Sequence, residues 1–247
     1  STVAVAGTRL WGSARPERFD LPADAVAVVG NPRIDEMLDP APEAAVKSLG
    51  LDPHRPLVLW LPTYRTASGP RHREWDDAEA LSRTDSVHGL VDAAREAVDR
   101  LGVQVLLKPH PLDADRFDSL GIPVATSADL DAAGVTLYQL LGRAAGVISD
   151  VSSVWTDFLS LDRPVAFYVP DLEEMKQRRG FNVDDLESLL PGPRIVSPGD
   201  LTAFLEGIAS GDPAYLPSAF PGYAEIGPSP AGGASDRLLD WLDAFQV

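Results

Sequence analysis

Short apolar runs punctuate the chain at residues 25–29, 57–61, 103–107, 124–126, 147–149, 165–169 and 194–196, bounded by Gly, Pro or Asp, each with a helical pattern following. Unbroken apolarity over about 4–6 residues, without polar alternation, predicts strands of a parallel sheet covered on both faces. Helices are predicted between them. Ser86 is placed to cap one running to Leu101, with Gly102 as the left-handed residue that ends it. Thr136 is placed to cap a helix over 137–144, and Asp200 lies near the start of another over 201–209. Residues 235–245 carry Leu238, Leu239, Trp241, Leu242 and Phe245 at helical spacing. Segments 67–85 and 212–233, polar or rich in Pro and Gly, are predicted as loops or irregular turns. This alternation predicts an α/β fold, a Rossmann-like doubly wound parallel sheet with helices on both faces.

Composition narrows the function. The 247 residues include 45% hydrophobic and 23% charged positions, enough apolar material for a folded core. Acidic residues outnumber basic ones 37 to 21, for a formal charge of −16. That balance argues against nucleic-acid binding, which needs a basic stripe to displace counterions. It leaves room for a small phosphorylated ligand held by a few local donors. The absence of Cys removes disulfides, thiolate metal sites and Cys nucleophiles. No apolar run approaches the roughly 20 residues of a membrane helix. Most of the basic residues are Arg, so Lys108 stands out.

In open α/β sheets ligands sit outside the carboxyl ends of the strands, and four strand ends carry polar residues. The strongest is Ile148-Ser149-Asp150-Val151-Ser152-Ser153-Val154-Trp155-Thr156-Asp157-Phe158. A helix starting near Ser152 would offer amides and two hydroxyls to a phosphate. Ser153 and Asp157, four apart, share a face, where Asp157 is placed to accept from ribose hydroxyls. The plainer alternative makes Asp150 or Ser152 an N-cap and Asp157 a solvated charge. Second is Lys108-Pro109-His110-Pro111, whose prolines confine an imidazole able to donate to phosphate or shuttle a proton. Third is Pro62-Thr63-Tyr64-Arg65, where Arg65 is placed to meet a diphosphate. Fourth is Gly30-Asn31-Pro32-Arg33-Ile34-Asp35, readable as ligand contact or as a structural turn with Arg33 paired to a nearby carboxylate. His54, His72 and His88 lie in polar, loop-like or cap-like settings and are read as structural.

Taken in order, these pieces resemble the CDP-glycerol glycerophosphotransferase family, the teichoic-acid and capsule polymerases. Arg163-Pro164, Asp171-Leu172-Glu173-Glu174 and Arg179-Gly180-Phe181 extend the likeness, which spans roughly residues 24 to 190. A more distant likeness is to UDP-N-acetylglucosamine 2-epimerases of the same two-domain GT-B architecture. The resemblance implies the C-terminal, donor-nucleotide half of a GT-B fold over residues 24–247. Residues 1–23 would be the tail of an absent acceptor half, with 1–12 as its last strand and turn. It implies that His110, Arg65 and the Ser152/Ser153 helix start meet the diphosphate, with His110 important for transfer. Asp157 would lie near the ribose, and the base by the loop over 134–138, which holds Thr136 and Tyr138. Thr63, Lys108 and Arg179 complete the implied binding set. Met175 and Asn182-Val183 depart from the family's pattern, as does the lack of its N-terminal His-Gly-rich motif.

The implied ligand is CDP-glycerol or another CDP-polyol, with a polyol-phosphate polymer as acceptor through the absent half. CMP leaves, no cofactor or metal is called for, and the location is cytoplasmic or peripheral at the inner membrane face. The alternatives are a UDP-sugar epimerase or glycosyltransferase of GT-B type, and a non-catalytic nucleotide-binding module.

Overall fold

The computed structural model describes residues 2–62, 77–109, 121–150, 152–170, 172, 183 and 185–245, with residue 18 and residues 77–88 in backbone alone. Its strands are β1 (Ala4–Ala6), β2 (Val26–Val28), β3 (Leu57–Leu61), β4 (Gln104–Leu107), β5 (Ala144–Ser149) and β6 (Val165–Phe167). The last four form a parallel sheet in the order β4-β3-β5-β6. β1 and β2 pair, also in parallel, as a separate two-stranded sheet, so the apolar run at 25–29 is not part of the main one. The runs at 124–126 and 194–196 extend the main sheet by single parallel bridges, Leu107 to Val124 and Phe167 to Arg194. Each follows a proline, Pro123 or Pro193, whose carbonyl joins the ladder but whose missing N–H stops it going further.

Every residue of β3 is buried, because both sheet faces are covered. Successive side chains point to opposite faces. Leu57, Leu59 and Leu61 join Leu106, Val147 and Phe167 in one core, with Leu140, Leu141, Trp155 and Phe158 from the covering helices. Val58 and Trp60 join Val105, Leu107 and Ile148 in the other. There Leu90, Val91 and Ala94 from helix Asp77–Leu101 meet Leu201, Phe204 and Leu205 from helix Pro198–Ser210. Burying each large apolar side chain contributes about 1.5–3 kcal/mol, so these two layers hold the sheet.

Capping chemistry sets the helix bounds. Thr136 caps Leu137–Arg143 in a capping box with Gln139, and the helix stops where Ala144 enters β5. Asp200 lies near the start of Pro198–Ser210, as expected, at the third position, where it bonds back to the capping Ser197. The helix ending at Leu101 already spans Asp77–Leu101 among the described residues, so Ser86 lies inside it rather than at its cap. Residues 77–85 are thus helical where the sequence predicts loop, and Asp77-Ala78-Glu79-Ala80-Leu81 contains good helix formers; residues 67–76 of that segment lie outside the described residues. Residues 212–233 are not all loop, since Pro221 opens a short helix to Ile226.

The N-terminal segment is tied into the rest of the chain. Thr8 caps helix Arg9–Phe19 by accepting from the Trp11 amide. The Arg9 amide donates to Gly227 O at 2.9 Å and Ser229 N donates to Gly7 O at 3.2 Å. Gly30, at φ 89°, takes a backbone conformation that favours glycine, and its amide donates to Ala6 O. The chain then turns into Pro32–Leu38, a 3-10 stretch that buries Ile34.

Asp35 leaves this turn to cap a helix about two hundred residues away: its carboxylate accepts from the Ala234 and Ser235 amides, both at 2.8 Å, at the start of Ala234–Phe245. Burial works against the charge, but these amides and Arg237 more than offset it and hold the carboxyl below its ordinary pKa. A depressed carboxyl stabilises fully above the ordinary value of about 4 and loses that contribution as pH falls through the folded one. Asp35→Ala should therefore cost about 1 kcal/mol in urea unfolding at neutral pH. The penalty should shrink in acid, where the wild-type cap is protonated. A penalty of the same size under both conditions would contradict this role.

Candidate functional site at the carboxyl edge of the sheet

From β3 the chain passes to β4 on one side, and β5 lies on the other, so the strand order reverses between β3 and β5. Leu61 and Ser149 are register partners, so the two strands end side by side. Pro62-Thr63-Tyr64-Arg65 follows one end and Asp150 to Ser153 the other. Lys108 leaves β4 next to them, its amide donating to Trp60 O at 2.9 Å. The crevice outside such a reversal is where open α/β sheets bind ligands. Of the residues singled out by sequence, Thr63, Tyr64, Arg65, His72, His110, Asp171, Glu173, Glu174, Met175, Arg179, Gly180, Phe181 and Asn182 lie outside the described residues.

The turn after β5 is locally built. Asp150 is buried and accepts from the Ser152 amide at 3.0 Å, while the Ser149 and Ser152 hydroxyls lie 3.3 Å apart. Ser153 is exposed and precedes helix Val154–Phe158 without a side-chain capping bond. That helix runs five residues before tightening into the 3-10 turn Leu159–Leu161. Its N-terminal field is correspondingly small, which leaves the serine hydroxyls and turn amides as the main donors. Lys108 is half-buried, with Ser127 Oγ at 3.3 Å and Pro109 O at 3.4 Å from Nζ. Burial pushes its ammonium pKa down, and no carboxylate pairs with it among the described residues. A cation partly withdrawn from water without a counter-charge favours an arriving anion.

Asp157 is placed differently from the sequence expectation. Ser153 and Asp157 occupy one side of the helix, yet Ser153 faces solvent and the Asp157 side chain is 0% exposed. Its Oδ1 accepts from Asn31 Nδ2 at 2.6 Å. Its Oδ2 accepts from Arg33 Nε at 2.8 Å, Arg33 Nη2 at 2.7 Å and the Tyr138 hydroxyl at 2.6 Å. Gly7 is the floor of this nest, where a Cβ would come within 2.8 Å of Asn31 Nδ2 and 3.3 Å of Asp157 Oδ1. Of the two readings of the turn at Gly30–Asp35, the structure takes the one in which Arg33 pairs with a nearby carboxylate. Asn31, within that turn, is the partner that sequence reasoning did not single out.

The same cluster fixes Tyr138. Burial, then the Asp157 charge, pushes its phenol pKa far above the ordinary value, while Arg33 opposes the shift. Tyr138 therefore stays a donor. The Arg33 guanidinium sits 5.3 Å from the Tyr138 ring centroid. Burial works against the Arg33 charge, but Asp157 and Tyr138 more than offset it and hold the guanidinium above its ordinary pKa. Thr136, at the head of Tyr138's helix, donates from its hydroxyl to Glu36 Oε2 at 2.5 Å. Tyr138 and Asp157 are thus in direct contact, while Thr136 is held through the turn at 32–38.

A parallel sheet covered by helices, with polar strand ends at its reversal, defines an α/β fold of the doubly wound class. The comparisons specify the family. The sequence profile of the CDP-Glycerol:Poly(glycerophosphate) glycerophosphotransferase family matches residues 5–242, and the chain belongs to that family. It is 27% identical over 233 residues to the teichoic acid glycerol-phosphate transferase of Staphylococcus aureus, covering 91% of this chain and 56% of that protein. It is 26% identical over 196 residues to the teichoic acid ribitol-phosphate primase of Bacillus spizizenii, covering 78% of this chain and 45% of that one. The chain thus spans about half the length of these relatives. Among solved structures, the wall teichoic acid polymerase TagF superposes with a TM-score of 0.67 at 19% identity, over 98% of this chain and 57% of the other. A structure from Listeria monocytogenes described as a UDP-N-acetylglucosamine 2-epimerase superposes with a TM-score of 0.58 at 16% identity, over 98% and 59%. These likenesses bear out the α/β, GT-B-like reading of the fold.

Because Arg33 and Asp157 share one hydrogen-bonded cluster, their substitutions should not add. A double-mutant cycle of Arg33→Ala and Asp157→Ala, followed by urea unfolding, should give a coupling energy of about 1–3 kcal/mol. Additivity within about 0.3–0.5 kcal/mol, the behaviour of independent sites, would dissolve the cluster.

Proposed function

We propose that this chain is the donor-binding half of a polyol-phosphate transferase that takes CDP-glycerol, or a related CDP-polyol, and builds a teichoic-acid-like polymer. The observation that carries the reading is the register pairing of Leu61 with Ser149 at the strand reversal, with Lys108, which pairs with no carboxylate among the described residues, beside it. Membership of a glycerophosphotransferase family supports the reaction class. A solved structure of a TagF variant with CDPG supports the donor class by analogy of fold.

On this reading the donor diphosphate meets Lys108, Ser152 and Ser153, together with Thr63, Arg65 and His110. An acceptor hydroxyl attacks the donor's β-phosphate, the bond to CMP breaks, and positioned donors meet the charge that spreads over the phosphates. Tyr138 and Thr136 flank the nucleoside, and Arg179 belongs to the same binding set. Asp157, enclosed by its partners, positions Tyr138 and Arg33 beside the nucleoside. Residues 24–247 carry the donor site, and residues 1–23, which pack against them through β1, Gly7 and Arg9, lead from an acceptor half carried elsewhere in a longer protein. The polymer enters through that half, and the full-length protein acts at the cytoplasmic face of the membrane. Among the described residues no helix is long and apolar enough to cross a membrane. The epimerase-like superposition favours a second reading, a UDP-sugar enzyme, which uridine preference over cytidine would establish.

Calorimetric titration separates these outcomes. Lys108→Ala should weaken CDP-glycerol by about tenfold or more, since a hydrogen bond to a charged group is worth about 1.5–3 kcal/mol. Cytidine, which lacks the phosphates, should be little affected. Equal losses for both ligands, or no binding at millimolar CDP-glycerol, would overturn the assignment.

A further inference from the structure

The opposite edge of the main sheet has a different chemistry. β3, β4 and β5 begin there, at Leu57, Gln104 and Ala144, around a cavity of about 390 Å³. Arg55, Arg143 and Arg163 line it, and Asp52 is the one carboxylate in the lining. In a chain of charge −16, three guanidinium groups gathered without matching acids call for an explanation.

Backbone carbonyls hold all three. Arg55 donates to Val98 O, Gly102 O and Val103 O at 3.0, 3.1 and 2.7 Å. Arg143 Nη2 donates to Pro53 O, and Arg163 Nη1 to Gly142 O and Ala144 O, each at 2.8 Å. The buried Gln104 side chain staples the adjoining loop, accepting from Asp52 N and donating to Asp52 O and Arg55 O. These bonds fix the arginines in place, but a carbonyl supplies no net charge. None of the three forms an ion pair among the described residues. Arg163 keeps Nε and Nη2 outside these bonds, the edge of the fork that binds an oxyanion bidentately, and Arg143 keeps Nε and Nη1 as further single donors.

We propose that this cavity is a second binding site, for a phosphate monoester, at the end of the sheet opposite the donor edge. Three guanidinium groups against one carboxylate leave two positive charges, and a phosphate monoester carries about −1.5 to −2 at neutral pH. The volume falls in the range of small-molecule sites, about 300–1,000 Å³. Pro40 and Val46 give it an apolar wall, so it accommodates an organic group as well as the phosphate. Burial with no acid at hand lowers the Arg163 pKa, in line with a site that gains from an anion. The inference does not depend on the donor reading.

The test is titration of the whole chain with glycerol 3-phosphate, inorganic phosphate and glycerol, followed by calorimetry. Glycerol 3-phosphate should bind saturably, inorganic phosphate more weakly, and glycerol not at all. Arg143→Gln, which gives up a single carbonyl contact, should weaken glycerol 3-phosphate about tenfold or more. Lys108→Ala, at the other edge, should leave that affinity unchanged. If Arg143→Gln fails to fold, Arg163→Lys keeps the charge but removes the fork, and should weaken binding in the same direction. Binding insensitive to the arginine variants, lost in Lys108→Ala, stronger for inorganic phosphate than for the ester, or absent altogether would each overturn the proposal.

Discussion

A carboxylate sealed from water is tolerated only where charge and hydrogen-bond donors replace its lost hydration. Asp157 meets that condition with partners from separate parts of the chain: Asn31 and Arg33 from the turn after β2, and Tyr138 from the helix before β5. The requirement reaches outward. Holding Arg33 against Asp157 fixes the turn, the turn places Asp35 under the last helix, and Gly7 of the N-terminal layer leaves room for the cluster. The β1–β2 layer, the segment after β5 and the C-terminal helix are thus linked through one buried charge. Asp157 lies one helical turn beyond Ser153, so this cluster sits directly behind the proposed donor edge.

The two ends of the main sheet divide the polar chemistry. At the carboxyl end, serine hydroxyls, turn amides and Lys108 stand around the strand reversal, with the five-residue helix adding little field of its own. At the amino end, three arginines are braced by carbonyls at strand starts and helix ends. Strand direction alone separates them, since all four strands run in parallel. The apolar layers between the ends carry most of the burial, which frees both edges to hold polar groups poorly matched among themselves.

Much of this was legible in the sequence because it is locally encoded. Apolar runs gave the four main strands, Thr136 and Gly102 gave helix ends, and the strand-end motifs gave the edge where ligands belong. The turn Gly30–Asp35 was read as either structural or ligand-binding because its partners, Asp157 and the Ala234 amide, are remote in sequence. Asp157 itself followed helical spacing correctly, but spacing says which side of a helix a residue takes and not what closes over that side. The arginine cavity left no motif of its own, although Arg163 belongs to the Arg163-Pro164 piece of the family likeness. Arg55 and Arg163 come from two loops and Arg143 from the end of helix Leu137–Arg143, and only the sheet brings them together. Residues 77–85 read as loop for another reason: their polar, acidic composition masks good helix formers such as Ala78, Glu79, Ala80 and Leu81.

The central claim is that the carboxyl edge, at the β3–β5 reversal, is where the donor nucleotide sits. An amide-resolved NMR titration of the whole chain with CDP-glycerol tests it most directly. The account predicts saturable shifts at Lys108, Ser149, Asp150, Ser152 and Ser153, with Tyr138 following. Shifts confined to the strand starts at Leu57, Gln104 and Ala144, with the carboxyl edge silent, would contradict it.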